Sequence, residues 1–309
     1  MACNLPLPAY QDRNGGPVQI GRWSGTDSML SMEVPCGRCV GCRLDRRLEW
    51  TVRCTHEQQL YPKNTFITLS YSDEHLPLSL SLEYRDVQLW LKRLRKEVRG
   101  SVKGPNGKYP IRFFLSGEYG PQTKRPHWHA ILFNCAFEDQ VQLMNGQYVS
   151  DQAERIWAKG NVRLDEVNSA TIAYVAGYTQ DKLYGREAYE DVVNLSTGEV
   201  SERRAPFVSM SRRPGIGAAW FARYSGDLFG GSESPHDFAI LQGKKRKVPR
   251  YYWRRFEQDG NPFVVEVVRE ARKERAAEID LSEKTLERRA VKEEAAWRRL
   301  RTFSPRGGL

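Results

Sequence analysis

Two imidazoles and a carboxylate stand close together in this sequence. Glu118 is followed by Tyr119-Gly120-Pro121-Gln122-Thr123-Lys124-Arg125-Pro126 and then by His127-Trp128-His129. The aromatic and β-branched run Ile111-Arg112-Phe113-Phe114-Leu115 precedes this stretch, and the apolar run Ala130-Ile131-Leu132-Phe133 follows it. The pattern predicts two antiparallel strands joined by a loop rich in Gly, Pro and Lys/Arg. Side chains alternate along a strand, so His127 and His129 share one face and Trp128 takes the other. The first strand ends near where the second begins, which brings the Glu118 carboxylate toward both rings. That donor set suits a divalent metal and leaves coordination positions open for substrate. A polar strand face, or histidines satisfied within a core, is the plainer use of the same residues. With only 5 histidines in 309 residues, two at this spacing favour the metal.

A second constellation lies downstream. Asn168 or Ser169 caps a helix predicted over Ala170 to Leu183, and on it Tyr174, Tyr178 and Lys182 follow one another at i, i+4. Those three side chains share one face. A phenol with an ordinary pKa of about 10 is a poor nucleophile near neutral pH. A nearby metal can neutralise a scissile phosphate and align it for in-line attack, and the Lys182 ammonium can steady phosphate or the developing phenolate. The phosphotyrosine so formed keeps the phosphoryl group activated for a later reversal. Aromatics at helical spacing also serve as plain core. Gly177 between the two tyrosines argues against a helix chosen only for stability, because glycine costs about 1 kcal/mol relative to alanine there, and it could instead allow close approach of the sheet or of a DNA strand.

The elements that must position these residues follow from composition and pattern. Lys and Arg number 48 against 38 Asp and Glu, a formal charge of +10, which favours a polyanionic partner such as nucleic acid. No apolar run reaches membrane-spanning length, and no signal peptide is indicated. Residues 1–35 read as an irregular arm. Cys36, Cys39 and Cys42 then form two overlapping Cys-x-x-Cys steps that could bind Zn²⁺ with Cys54 or His56 as a fourth ligand; a turn of reduced thiols leading into a helix is the equal alternative. A helix is predicted from Arg43 to Tyr61 and a strand from Thr65 to Tyr71, with His75 in the loop beyond. Residues 82–98 read as an amphipathic helix with Val87, Trp90, Leu91, Leu94 and Val98 facing inward. Ser150 caps a short helix, and Asn161 to Leu164 suggests another strand.

Three motifs together carry a resemblance. Phe66-Ile67-Thr68-Leu69-Ser70-Tyr71-Ser72-Asp73-Glu74-His75, Pro126-His127-Trp128-His129 and Tyr174 through Lys182 resemble the motifs of rolling-circle replication initiators of the HUH endonuclease superfamily. More narrowly the chain looks like the initiators of microviruses of the gokushovirus branch, to which Pro35 to Cys39 and Ser211 to Gly217 are also similar. The resemblance covers roughly residues 35–225. It implies an α+β fold, an antiparallel sheet of about five strands with flanking helices, here with a Cys-rich N-terminal segment and a basic helical C-terminal tail. It further implies Mg²⁺ or Mn²⁺ held by Glu118, His127 and His129, and nicking of single-stranded DNA at a phage origin. Tyr174 and Tyr178 are the implied nucleophiles, Lys182 their helper, and a 5′-phosphotyrosine the intermediate. No Gly-x4-Gly-Lys-[Ser/Thr] loop occurs, so unwinding falls to a host helicase, with a host polymerase, in the bacterial cytoplasm.

Three domains are expected: residues 1–60 as arm and Cys-rich helix, 61–230 as the endonuclease, 231–309 as the basic extension. Residues 186–205 read as a surface excursion, and Pro206 to Met210 as a closing strand. Arg212 and Arg213 stand before Trp220, Phe221 and Tyr224, either gripping a single strand or turning the aromatics into the core. Lys244, Lys245, Arg246 and Lys247, followed by Tyr251, Tyr252 and Trp253, form a stronger nucleic-acid candidate. From Val267 to Arg301 a solvent-facing helix is predicted. A DNA-binding protein without chemistry and a metal-dependent hydrolytic nuclease are the rival functions; neither needs the tyrosine face.

Overall fold

The computed structural model describes residues 3–22, 28–104, 107–108, 110–179, 189–193, 198, 200–278 and 280–303. The chain divides into two compact units. One joins Met1–Arg46 to Arg272–Leu309, and the other is Arg47–Ala271. This differs from the expected three-way division. Residues 231–271 bury apolar side chains in the central unit, whereas the last helix folds with the N-terminus.

In the first unit, β1 (Leu7–Asp12), β2 (Gln19–Ile20) and β3 (Met29–Val34) form an antiparallel sheet in the order β2-β1-β3. The arm is therefore ordered, contrary to expectation. Of its strand residues only Ala9 is buried, so no alternation of apolar and polar residues marked it in the sequence. The helix α1 (Val40–Gln58) begins in this unit and continues into the second.

The central unit is built on β4 (Asn64–Ser70), α2 (Tyr84–Glu97), β5 (Arg112–Tyr119), β6 (Pro126–Phe133), β7 (Val141–Gln142), β8 (Tyr148–Val149), α3 (Asp151–Trp157), β9 (Val162–Glu166) and α4 (Ser169–Gly177). The hairpin β10 (Tyr189–Val193) with β11 (Val200–Arg204) replaces the expected surface excursion, and β12 (Phe207–Met210) follows as the predicted closing strand. Seven strands pair in the order β12-β5-β6-β4-β9-β8-β7, every pairing antiparallel. The sheet exceeds the expected five strands because two-residue strands at its edge are too short to leave a pattern.

Alternation gives the sheet two apolar faces. On one, Leu115, Trp128, Ala130 and Leu132 pack with Val87, Trp90, Leu91 and Leu94 of α2 and Ile156 and Trp157 of α3. Each such buried side chain contributes about 1.5–3 kcal/mol. On the other, Phe66, Phe114, Ile131 and Phe133 pack with Cys54 of α1 and Ile172 and Val175 of α4. That second face, at its polar end, carries Glu118 and the two histidines.

The rest of the chain forms α5 (Ala218–Tyr224), α6 (Gly226–Phe229), β13 (Phe238–Leu241), β14 (Lys244–Lys247), α7 (Arg250–Asp259) and α8 (Pro262–Ala277), with α9 (Leu286–Phe303) last. The expected continuous C-terminal helix is thus two helices. Trp220, Phe221, Leu228, Phe229, Tyr252, Phe256 and Val268 form a third cluster against Val52 of α1. Trp220 and Phe221 are therefore core, while Tyr224 is exposed.

His56 lies in this cluster, its ring stacked 3.5 Å from that of Trp220 and its Nδ1 3.2 Å from the Tyr252 hydroxyl. It is not beside the cysteines. Burial lowers its pKa to about 4, below the roughly 6.5 of an unfolded histidine. The neutral ring therefore adds stability fully above that unfolded value, and the gain is lost as pH falls through the folded one. Between pH 7 and 4 the wild type is expected to lose about 3 kcal/mol more unfolding free energy than His56→Phe, which cannot titrate. Urea melts across that range measure the difference; parallel curves would show that the imidazole is not held neutral.

Candidate metal and tyrosine site

Register assembles the site. Glu118 of β5 stands opposite His127 of β6, and Ser116 opposite His129. On the other side of β6, Thr68 of β4 faces His129 and Ser70 faces His127. Glu118, His127 and His129 offer donor atoms that all lie within 4.8 Å of one another. Glu118 Oε1 is 2.9 Å from His129 Nε2 and 3.7 Å from His127 Nε2. Donors bound ~2.1 Å from one ion stand about 3.0–3.4 Å apart, so this spacing fits a shared cation.

Two further observations fit the same reading. The buried Glu118 Oε1 has no hydrogen-bond partner, so its closeness to His129 Nε2 is not a satisfied contact. Each ring is also anchored through its other nitrogen. His129 Nδ1 meets Thr68 Oγ1 at 2.9 Å, and His127 Nδ1 meets the Arg125 carbonyl at 3.3 Å. Anchoring Nδ1 aims Nε2 of both rings at the carboxylate, the outer-shell arrangement typical of ligating histidines. Thr68 and Ser116 escaped the sequence reading. Alternation along β4 put Thr68 on a face, but only register shows which histidine it meets.

The tyrosines complete the cluster. Asn168 caps α4 by accepting from the backbone of Ala170 and Thr171, while Thr171 reciprocates, which fixes the start of the helix. The described helix ends at Gly177 with Tyr178 as its C-cap, shorter than predicted, yet Tyr178 keeps a right-handed helical backbone. The tyrosine pair therefore retains its i, i+4 relation. The Tyr174 hydroxyl lies 3.2 Å from His129 Nε2, and the two tyrosine rings meet edge-on at 5.2 Å. The Tyr178 ring lies parallel to that of His129 at 6.3 Å. Lys182 falls outside the described residues.

Burial, and then the negative charge of Glu118, raise the pKa of both Tyr174 and Tyr178. Burial and the neighbouring His129 lower that of His127, against the pull of Glu118. The local field thus favours neutral phenols and a neutral imidazole, the form that ligates metal. Gly177 does not admit the sheet: a Cβ there would meet only the Arg47 guanidinium, at 4.0 Å. The steric need for glycine lies instead at Gly117, opposite Trp128 in β6. A Cβ at Gly117 would stand 2.5 Å from Trp128 Cζ3. Because that indole is fully buried between the two histidines, Gly117→Ala is expected to destabilise the fold by about 1–3 kcal/mol and to shift the Trp128 near-ultraviolet signal. Chemical denaturation tests this; an unchanged midpoint would mean that the indole has room to move.

The other candidate residues are placed elsewhere. Cys36, Cys39 and Cys42 come together, but with Cys3. Cys54 is buried against Phe66 and Phe114, so it is not their fourth partner. Arg212 and Arg213 line a cavity of about 1030 Å³ with Arg95, Lys96, Arg99 and Lys108. This cavity borders Arg112, at the opposite end of β5 from Glu118, about 20 Å along the strand. Lys244, Lys245, Arg246 and Lys247 form β14, paired with β13, so alternation divides the four cations between two faces rather than concentrating them. Lys245 packs over the Phe238 ring at 4.3 Å.

Comparison with known proteins agrees with the site. The family described as Replication-associated protein, of the ORF2 type, matches residues 64–183. The chain is 30% identical over 259 residues to Replication-associated protein VP4 of Bdellovibrio phage phiMH2K, covering 82% of this chain and 76% of that protein. It is 31% identical over 295 residues to Replication-associated protein ORF2 of Spiroplasma virus 4, covering 88% and 86%. Replication-associated protein ORF4 of Chlamydia phage 1 matches half of the chain at 32% identity, over 39% of its own length. No solved structure matches the chain. Among the described residues no helix is long and apolar enough to cross a membrane.

Proposed function

The chain belongs to the family of phage replication-associated proteins, and we propose that it is the endonuclease that opens rolling-circle replication by nicking one strand at the phage origin. The observation that carries this reading is the convergence of Glu118, His127, His129 and two tyrosines on one sheet face. We read the sheet and its helices as an HUH endonuclease fold. In the step proposed, a phenolic oxygen of Tyr174 or Tyr178 bonds to phosphorus and the bond from phosphorus to O3′ breaks. The phenolic proton leaves to solvent, and the released 3′-oxygen takes one up. The product is a 5′-phosphotyrosine. One phosphodiester replaces another, so a free 3′-hydroxyl can reverse the step and religate without a nucleotide cofactor.

A divalent cation, Mg²⁺ or Mn²⁺, held by Glu118, His127 and His129 would neutralise charge at the scissile phosphate and offset the carboxylate charge that disfavours phenolate. Thr68 and the Arg125 carbonyl hold the two imidazoles in their ligating orientation. The α4 cap and the edge-on ring contact hold both hydroxyls near the same point, so one tyrosine can keep a strand end while the other attacks. Lys182 remains the proposed aid to phosphate or phenolate. Arg212 and Arg213, in their basic cavity, would bind the backbone of single-stranded DNA, and β14 would give weaker phosphate contacts. A host helicase and polymerase are the proposed partners, acting in the bacterial cytoplasm.

The test is a denaturing gel of purified protein with labelled single-stranded origin DNA and Mn²⁺. A covalent protein–DNA band that needs the cation supports the proposal. Cleavage without that band would point to a hydrolytic nuclease using water. Binding without cleavage on a verified origin would leave a DNA-binding protein without chemistry.

A further inference from the structure

We propose that Cys3, Cys36, Cys39 and Cys42 form a four-thiolate zinc site that holds the first unit together. All four sulfurs lie within 4.8 Å of one another. Cys3 Sγ is 3.6 Å from Cys36 Sγ and 3.7 Å from Cys39 Sγ. Sulfurs bound ~2.3 Å from one tetrahedral ion stand about 3.8 Å apart, whereas a disulfide needs about 2.05 Å. The cysteines are free, and their spacing is that of ligands around one ion. The sulfurs of an iron–sulfur cluster bind different irons and stand wider apart.

The backbone is arranged for thiolates. Amides of Arg38 and Cys39 donate to Cys36 Sγ, those of Asn4 and Cys42 to Cys39 Sγ, and that of Cys36 to Cys3 Sγ, at 3.3–3.5 Å. Gly37, with φ of +75°, makes the tight turn between the first two steps of the motif. Glu293 of α9 then binds both cysteine-bearing segments. One carboxylate oxygen accepts from the Val40 amide and the other from Asn4 Nδ2, each at 2.8 Å. Arg289 adds a two-pronged ion pair to Glu33 at 2.8–2.9 Å.

This unit has little else to hold it. Its buried apolar side chains, among the described residues, are Ala9, Cys39, Val40 and Ala296, and none of the three hydrophobic clusters draws on it. A unit so poor in apolar burial needs a staple, and a structural zinc supplies folding free energy directly. Cys54 and Cys135, both fully buried in the central unit, take no part.

Because Glu118, His127 and His129 could also retain zinc, the experiment uses the full chain carrying His127→Ala and His129→Ala. Purified without chelator from zinc-supplemented medium, it is expected to hold about one zinc per chain by elemental analysis. Adding Cys39→Ser should lower this below about 0.1, while Cys54→Ser should leave it unchanged. As Cys39→Ser could misfold, the unsubstituted cysteines are tested as well. Exchange with Co²⁺ should give the intense near-ultraviolet thiolate-to-metal absorption of a tetrahedral site, and four of the 6 thiols should resist alkylation until a chelator is added. Absence of zinc with equal alkylation before and after chelator, zinc retained by Cys39→Ser, or iron in its place would each overturn the proposal.

Discussion

The combined change Tyr174→Phe and Tyr178→Phe is expected to lower covalent protein–DNA adduct formation by about 10³-fold or more, with DNA binding unchanged. Each ring stays in place, since its contacts with His129 and with the other tyrosine are made by the aromatic faces and edges. Only the nucleophilic oxygens leave, and removing a partly buried hydroxyl alters stability by about 1 kcal/mol or less. The single variants separate the roles. Both hydroxyls sit near one donor cluster, so each single variant is expected to nick within about tenfold of wild type but to fail in transferring the held strand to a second site. Single-turnover nicking and a strand-joining assay on the same DNA measure both. Nicking that survives in the double variant would move the chemistry to water and remove the tyrosines from the mechanism.

Glu118→Gln is expected to abolish nicking by a factor of about 10² to 10⁴ and yet to stabilise chelator-treated protein. The stabilisation follows from the buried Oε1, which has no hydrogen-bond partner. An unsatisfied buried acceptor costs about 1–3 kcal/mol, and the neutral amide removes a desolvated charge while offering a donor to the nearby Nε2 atoms. Wild type should gain about 2.7 kcal/mol with Mn²⁺ at a hundredfold excess over its dissociation constant, and the variant should gain almost nothing. Thermal unfolding with and without Mn²⁺ reads both effects. A variant less stable than wild type in chelator would mean that the carboxylate serves the fold rather than a cation.

The sequence by itself determined the residue types of the site and the local order that presents them. A strand has period two, so His127 and His129 had to share a face; a helix makes i, i+4 neighbours, so Tyr174 and Tyr178 had to meet. The amphipathic spacing of Val87, Trp90, Leu91 and Leu94 placed α2 on the sheet, as the structure has it. These signals are local, set by backbone geometry within a few residues. What the tertiary structure decided was register and long-range closure. That Glu118 faces His127, that Thr68 orients His129, and that Gly117 rather than Gly177 is sterically required depend on how strands align across the sheet. The fourth cysteine shows the same limit. Cys54 lay near in sequence, but helical geometry carried it into the central core, while Cys3 returned across 33 residues through the pairing of β1 with β3. Loop closure costs little more for a long loop than for a short one, so sequence distance did not reveal which thiol completes the set.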